Sequence, residues 1–198
     1  MKEMIKMVVV LTLLSSVSGG LLAYVKTETK EQIESQVVKY VKGPALAQIF
    51  EGASNDPISD RFSIEEEGQP KMDFFVAKYD GQIKAVAFEA SGKGGYGGDI
   101  GLLMAVDIAS DQVYGLGVTT HSETAGLGAK AKTDPKFAAQ FKGKSAIEAF
   151  GVSGDGQQIN AISGATITSV AVCRGATQAV ETYKRLKPQI EKNLEGFK

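Results

Sequence analysis

Cysteine and histidine occur once each in the 198 residues, as Cys173 and His121. One cysteine excludes an internal disulfide and any four-cysteine zinc or iron–sulfur centre. One histidine excludes a metal cluster built on histidines, so no metal site is expected. An excess of charge of one sign is missing too. The 22 Lys+Arg and 23 Asp+Glu leave a net charge of −1, and no basic field is present to attract nucleic acid. The motifs assemble no acid/base carboxylate pair, no nucleophile–base pair and no nicotinamide fingerprint, so no catalytic residue is assigned. What is plentiful is glycine, 23 residues in all, crowded between Gly81 and Gly164, which implies many tight turns between strands. Hydrophobic residues at 43% and charged residues at 23% suit a globular domain with room for a core and an appendage.

One long run lacks charge. From Met7 to Val25, between Lys6 and Lys26, nineteen mostly apolar residues follow one another. At about 1.5 Å per residue they just span a bilayer core. Ser15-Ser16-Val17-Ser18-Gly19 offers small residues where a signal peptidase could cut. Apolar residues resume at Leu21–Val25, however, so residues 1–26 are read as a retained membrane anchor. No cysteine follows the run, which excludes a lipoprotein. Lys2 and Lys6 ahead of it favour a cytoplasmic N-terminus, with residues 27–198 on the extracytoplasmic side of the inner membrane.

Residues 27–42 carry Ile33, Val37, Val38 and Val41 at helical spacing, which predicts an amphipathic helix packed on the domain and broken by Gly43-Pro44. A short helix over 45–50 follows. Glu65-Glu66-Glu67-Gly68 reads as a solvated turn. Strand patterns over 74–79 and 82–90 flank Asp80-Gly81, a hairpin signal, and 100–108 and 113–120 form a second hairpin around Ser110-Asp111. Asp134-Pro135 starts a helix to about Phe141, and 145–150 reads as another short helix. A final helix presents Val170, Cys173, Ala176, Val180 and Tyr183 on one face and ends near Leu186, ahead of Pro188. Together these predict an α+β fold: an antiparallel sheet built from hairpins, with flanking helices, plus one N-terminal transmembrane helix.

Three segments carry candidate chemistry. Ser163-Gly164-Ala165-Thr166-Ile167-Thr168 is a hydroxyl-rich turn running into the last helix, where free N–H groups and the positive end of the helix dipole suit a phosphate. Alone it is as readily an ordinary Ser/Thr cap. Gly92-Lys93-Gly94-Gly95-Tyr96-Gly97 matches GxGxxG in form, but a strand rather than a helix follows, so a dinucleotide fold is excluded and a flexible turn between strands is expected. His121-Ser122-Glu123-Thr124-Ala125-Gly126-Leu127-Gly128 ends a predicted strand, where loops on a rigid scaffold hold ligands.

The third and first segments, in that order along the chain and about forty residues apart, resemble the two signatures of the FMN-binding domain family. The resemblance implies FMN bound covalently through a phosphoester to Thr166, with Thr168 the second choice, installed by a separate flavin transferase. It implies that Ser163, Gly164 and Ala165 border the attachment point. His121, Glu123, Thr124, Leu127 and Gly128 would lie against the isoalloxazine ring, and Tyr96 would border it. The sequence departs from the family pattern twice: Asn160 stands where an acidic residue usually precedes the Ser, and Ala125 where Pro is usual. An anchor followed by one FMN domain is similar to what Rnf-type ion-translocating electron-transport complexes contain. That implies an electron relay among other membrane subunits, between ferredoxin and NAD, coupled to Na⁺ or H⁺ transport. Two alternatives stay open: a component like the C subunit of the sodium-translocating NADH:quinone reductase, and a membrane-anchored binding or assembly module without redox work.

Overall fold

A computed structural model of the chain describes residues 1–66, 68–152 and 157–197. The chain divides into two units, residues 1–40 and 41–198. The first is built on α1 (Lys2–Val37), which has no buried residue and is long and apolar enough to cross a membrane. The break expected at Gly43-Pro44 is absent: a π turn at Val38–Lys42 leads directly into α2 (Gly43–Ile49). Pro44 falls in the first turn of α2, where its missing N–H costs no hydrogen bond.

The second unit is an antiparallel meander of β1 (Arg61–Ile64), β2 (Met72–Tyr79), β3 (Gln82–Gly95), β4 (Gly98–Asp107) and β5 (Gln112–Thr120), paired in chain order. The α+β architecture is as expected. Asp80 and Gly81 both take positive φ, 52° and 77°, the geometry of a type I′ turn that matches the strand twist. β1 was not foreseen, and β3 and β4 run on through the glycines, so the supposed flexible loop is only the two-residue turn Tyr96-Gly97. Runs such as Phe74–Ala77 and Leu102–Val106 are buried without alternation because the sheet is covered on both faces. Phe74, Val76, Phe88 and Met104 belong to the core that includes α5 (Thr166–Leu194). On the other face α2 lies over β5, with Ile49 against Gly115 and Gly117.

α5 runs eight residues beyond the expected end at Leu186 and passes through Pro188. Ile190 and Leu194, beyond the proline, are both buried. Burying two such side chains contributes roughly 3–6 kcal/mol, enough to offset the cost of about 3 kcal/mol for an interior proline. The helix expected over 145–150 is also absent. Ala146 donates to the Asp111 carbonyl at 2.8 Å, and the Phe150 N–H donates to Thr177 Oγ1 at 2.9 Å. These outside partners hold the backbone extended into β6 (Phe150–Gly151), which pairs in parallel with β7 (Gln157–Gln158). Two short helices, α3 (Lys130–Thr133) and α4 (Pro135–Ala139), follow β5, and Asp134 caps α4 through the Lys136 N–H. Of the expected acidic turn, Glu66 pairs with Arg185 at 3.1 Å, and Glu67 lies outside the described residues.

Candidate functional site

Two turns of one design face each other at the start of α5. Leu127 N–H donates to the Thr124 carbonyl at 3.2 Å, with Gly126 at φ 77° between them. Ala165 N–H donates to the Ile162 carbonyl at 2.9 Å, with Gly164 at φ 77°. Both have glycine at the third position, where a type II turn demands positive φ. Ala125 holds the second position, which proline favours in such turns. A Cβ on Gly164 would lie 3.3 Å from Leu127 Cδ2, so the two turns are in contact.

The hydroxyls at the helix start divide sharply. Ser169 is buried; its Oγ accepts from the Ile162 N–H at 3.0 Å and donates to the Ala165 carbonyl at 2.9 Å, fixing the second turn. Thr168 is 2% exposed and donates to Glu123 Oε2. Ser163 and Thr166 are exposed. Neither caps the helix: Ala165 is the N-cap residue and α5 has no side-chain cap. Among the described residues the N–H groups of Thr166, Ile167 and Thr168 therefore have no acceptor.

Glu123 joins the third segment to these two. It is 8% exposed and forms no ion pair among the described residues. Its Oε1 accepts the Gly97 N–H at 2.8 Å, which draws the Tyr96-Gly97 turn onto the 121–128 loop. His121 folds back, its Nδ1 accepting the Glu123 N–H at 3.1 Å. Thr124 is exposed and Gly128 buried. Around this centre Tyr96 (74% exposed), Leu127 (46%) and Ile167 (55%) leave apolar surface to solvent. The structure thus brings together all three segments singled out in the sequence. What the sequence reading missed is that Glu123 and Thr168 bond to each other; the only sign was a Glu among glycines. Cys173 lies in the core on the buried face of α5, and burial pushes its thiol up to about 11, as expected of a structural rather than a redox cysteine.

These residues suit a flavin mononucleotide. Three unpartnered N–H groups at the positive end of a long helix fit a phosphate, and exposed apolar side chains beside glycine-lined backbone fit a flat ring. The fold and site define an FMN-binding domain, and a family model of that description matches residues 95–181, from the Tyr96 turn into the middle of α5. The G subunit of the ion-translocating oxidoreductase complex of Stutzerimonas stutzeri is 34% identical over 136 residues, covering 66% of this chain and 59% of that protein. The G subunit of the proton-translocating ferredoxin:NAD(+) oxidoreductase complex of Clostridium ljungdahlii is 37% identical over 153 residues, covering 73% and 79%. The chain belongs to the family of these G subunits. Among solved structures, the C subunit of the Na(+)-translocating NADH-quinone reductase of Parabacteroides distasonis superposes with a TM-score of 0.53 at 27% identity, covering 64% of this chain and 76% of that one.

Proposed function

We propose that this chain is the electron-relay subunit of a membrane-bound, ion-translocating oxidoreductase of the Rnf type, with FMN carried covalently on Thr166. The observation that carries the attachment point is the division of the hydroxyls. Thr168 and Ser169 are buried and bonded, whereas Thr166 is exposed at the first helical position beside unpartnered N–H groups. A phosphoester on Thr166 Oγ1 would set the phosphate at those N–H groups, and the turns at Leu127 and Tyr96 would border the ring. Bound there, FMN supplies reversible electron transfer; the chain's own residues bind it, orient it and keep it from dissociating. No acid/base pair or nucleophile is needed for that work, which suits a subunit that transfers electrons only within a complex.

The relatives' names support ferredoxin and NAD as the outer redox couple, with Na⁺ or H⁺ as the coupling ion and other membrane subunits as partners. α1 would anchor the chain in the cytoplasmic membrane with the domain outside, following Lys2 and Lys6. A flavin transferase would mature it. The likeness to the C subunit of the NADH-quinone reductase favours, as a second reading, the equivalent place in that complex.

The test is intact-mass spectrometry of the full chain after coexpression with a flavin transferase, with fragmentation of the peptide containing Thr166. The expected result is a gain of FMN less one water, located on Thr166 and lost in Thr166→Ala. An unmodified, colourless chain under those conditions would overturn the proposal in favour of a binding or assembly module.

A further inference from the structure

We propose that Glu123 is the positioning residue of this site: it holds the three segments together through its own two oxygens and makes no contact with the flavin. The proposal rests on the reading of the site given under Proposed function. Each carboxylate oxygen already has a donor, Gly97 N–H on Oε1 and Thr168 Oγ1 on Oε2. Those donors belong to the β3–β4 turn and to the first turn of α5, while Glu123 itself lies in the loop that follows β5. One side chain thereby hydrogen-bonds to both of the other elements at once.

The glycines around it make the case that this is a built slot. A Cβ on Gly95 would lie 2.7 Å from Glu123 Oε1, and one on Gly128 would lie 2.6 Å from Oε2 and 2.6 Å from Thr168 Oγ1. A Cβ on Gly97 would overlap the Ser122 carbonyl. A side chain at Gly95 or Gly128 would collide with the carboxylate, and one at Gly97 with the backbone of the loop that carries it. The glycine-rich turn that looks like a phosphate loop in sequence thus serves a carboxylate of the chain itself. Buried polar groups held this way are costly to leave unpaired, so the bonds specify one arrangement of the loops. Thr166 stands two residues from Thr168, so the Thr168–Glu123 bond fixes the helix turn that carries it.

The experiment compares full-length wild type, Glu123→Ala, Thr168→Val, the double variant and Thr168→Ser, each coexpressed with a flavin transferase. FMN occupancy at a fixed early time is read by intact mass, and thermal unfolding is recorded alongside. Glu123→Ala and Thr168→Val should each lower occupancy roughly tenfold, and the double variant should fall no further, since the pair acts as a unit. Thr168→Ser, which keeps the hydroxyl, should label as wild type does. Asp111→Asn lowers stability from the opposite end of the β4–β5 hairpin, and should label fully. Full occupancy in Glu123→Ala, or an equal loss in Asp111→Asn, would overturn the positioning role while leaving the flavin reading intact. Failure of wild type to gain FMN would instead overturn the reading beneath it.

Discussion

Thr168 and Glu123, 45 residues apart in the chain, meet in a buried hydrogen bond from the threonine hydroxyl to carboxylate Oε2. The bond connects the loop after β5 to the first turn of α5 and removes Thr168 from the set of hydroxyls open to modification. It also changes how the 121–128 loop is understood. Of the side chains there, Leu127 faces outward, whereas Glu123 and His121 turn inward to hold the loop's own backbone and its neighbours.

α5 crosses the sheet at a glycine-on-glycine contact. A Cβ on Gly175 would lie 2.5 Å from Leu102 Cδ2 and 2.8 Å from the Gly92 nitrogen. Gly175→Ala should therefore destabilise the protein by about 1–3 kcal/mol through overpacking, although alanine is the better helix former. Chemical denaturation of the full chain in detergent checks this; an unchanged midpoint would mean that the helix shifts freely over β3.

Asp111 accepts Lys187 Nζ at 2.7 Å and Tyr183 Oη at 2.5 Å. The Lys187 bond, then the Tyr183 bond, hold its carboxyl below the usual carboxylate range. A folded-state pKa below the unfolded one gives stabilisation that is fully present above the ordinary value of 3.8 and is lost as pH falls through the lowered one. Asp111→Asn should cost about 1 kcal/mol at neutral pH, kept small by solvent screening at a half-exposed site. The difference from wild type should shrink as pH falls below 3.8 and vanish only below the lowered value.

With its thiol pushed up by burial, Cys173 should not react with an alkylating reagent at pH 8 while the protein is folded. Labelling should follow unfolding, so its rate in mild denaturant reports the opening of α5. Rapid labelling of the native chain would show that this face of the helix is exposed in solution.

Asn160 is exposed, and its backbone is fixed by Gln140: N–H to Oε1 at 2.8 Å, carbonyl from Nε2 at 3.2 Å. Its side chain makes no hydrogen bond among the described residues. Asn160→Asp should change stability by less than about 0.5 kcal/mol, yet speed FMN incorporation by restoring the acidic residue usual at this position. Time-resolved intact mass after coexpression decides it; equal rates would mean that the charge plays no part in recognition.

Much of this was legible in the sequence. The Asp80-Gly81 turn, the two hairpins and the apolar face of α5 all follow from local spacing. The three site segments could be singled out because glycines and hydroxyls cluster there. What was not legible depended on partners distant in the chain. Residues 145–150 look helical until Thr177 and Asp111 capture their backbone, and Pro188 looks like a stop until Ile190 and Leu194 are seen to be buried. The glycines at 95 and 97 likewise suggest a flexible turn, and Gly128 a backbone pressed against a flat ring. Only folding reveals the carboxylate they enclose.

The glycine crossing also sets the rotational phase of α5. At about 100° per residue, Thr168 lies seven residues before Gly175, nearly two whole turns, and so points at the sheet as Gly175 does. Thr166, nine residues before, is two and a half turns away and points opposite. Two threonines spaced by two are thus sorted into one that faces inward and one that faces solvent by where the helix is indexed on β3. A one-residue slip would turn Thr166 by about 100° and take its hydroxyl out of reach of any enzyme approaching from solvent.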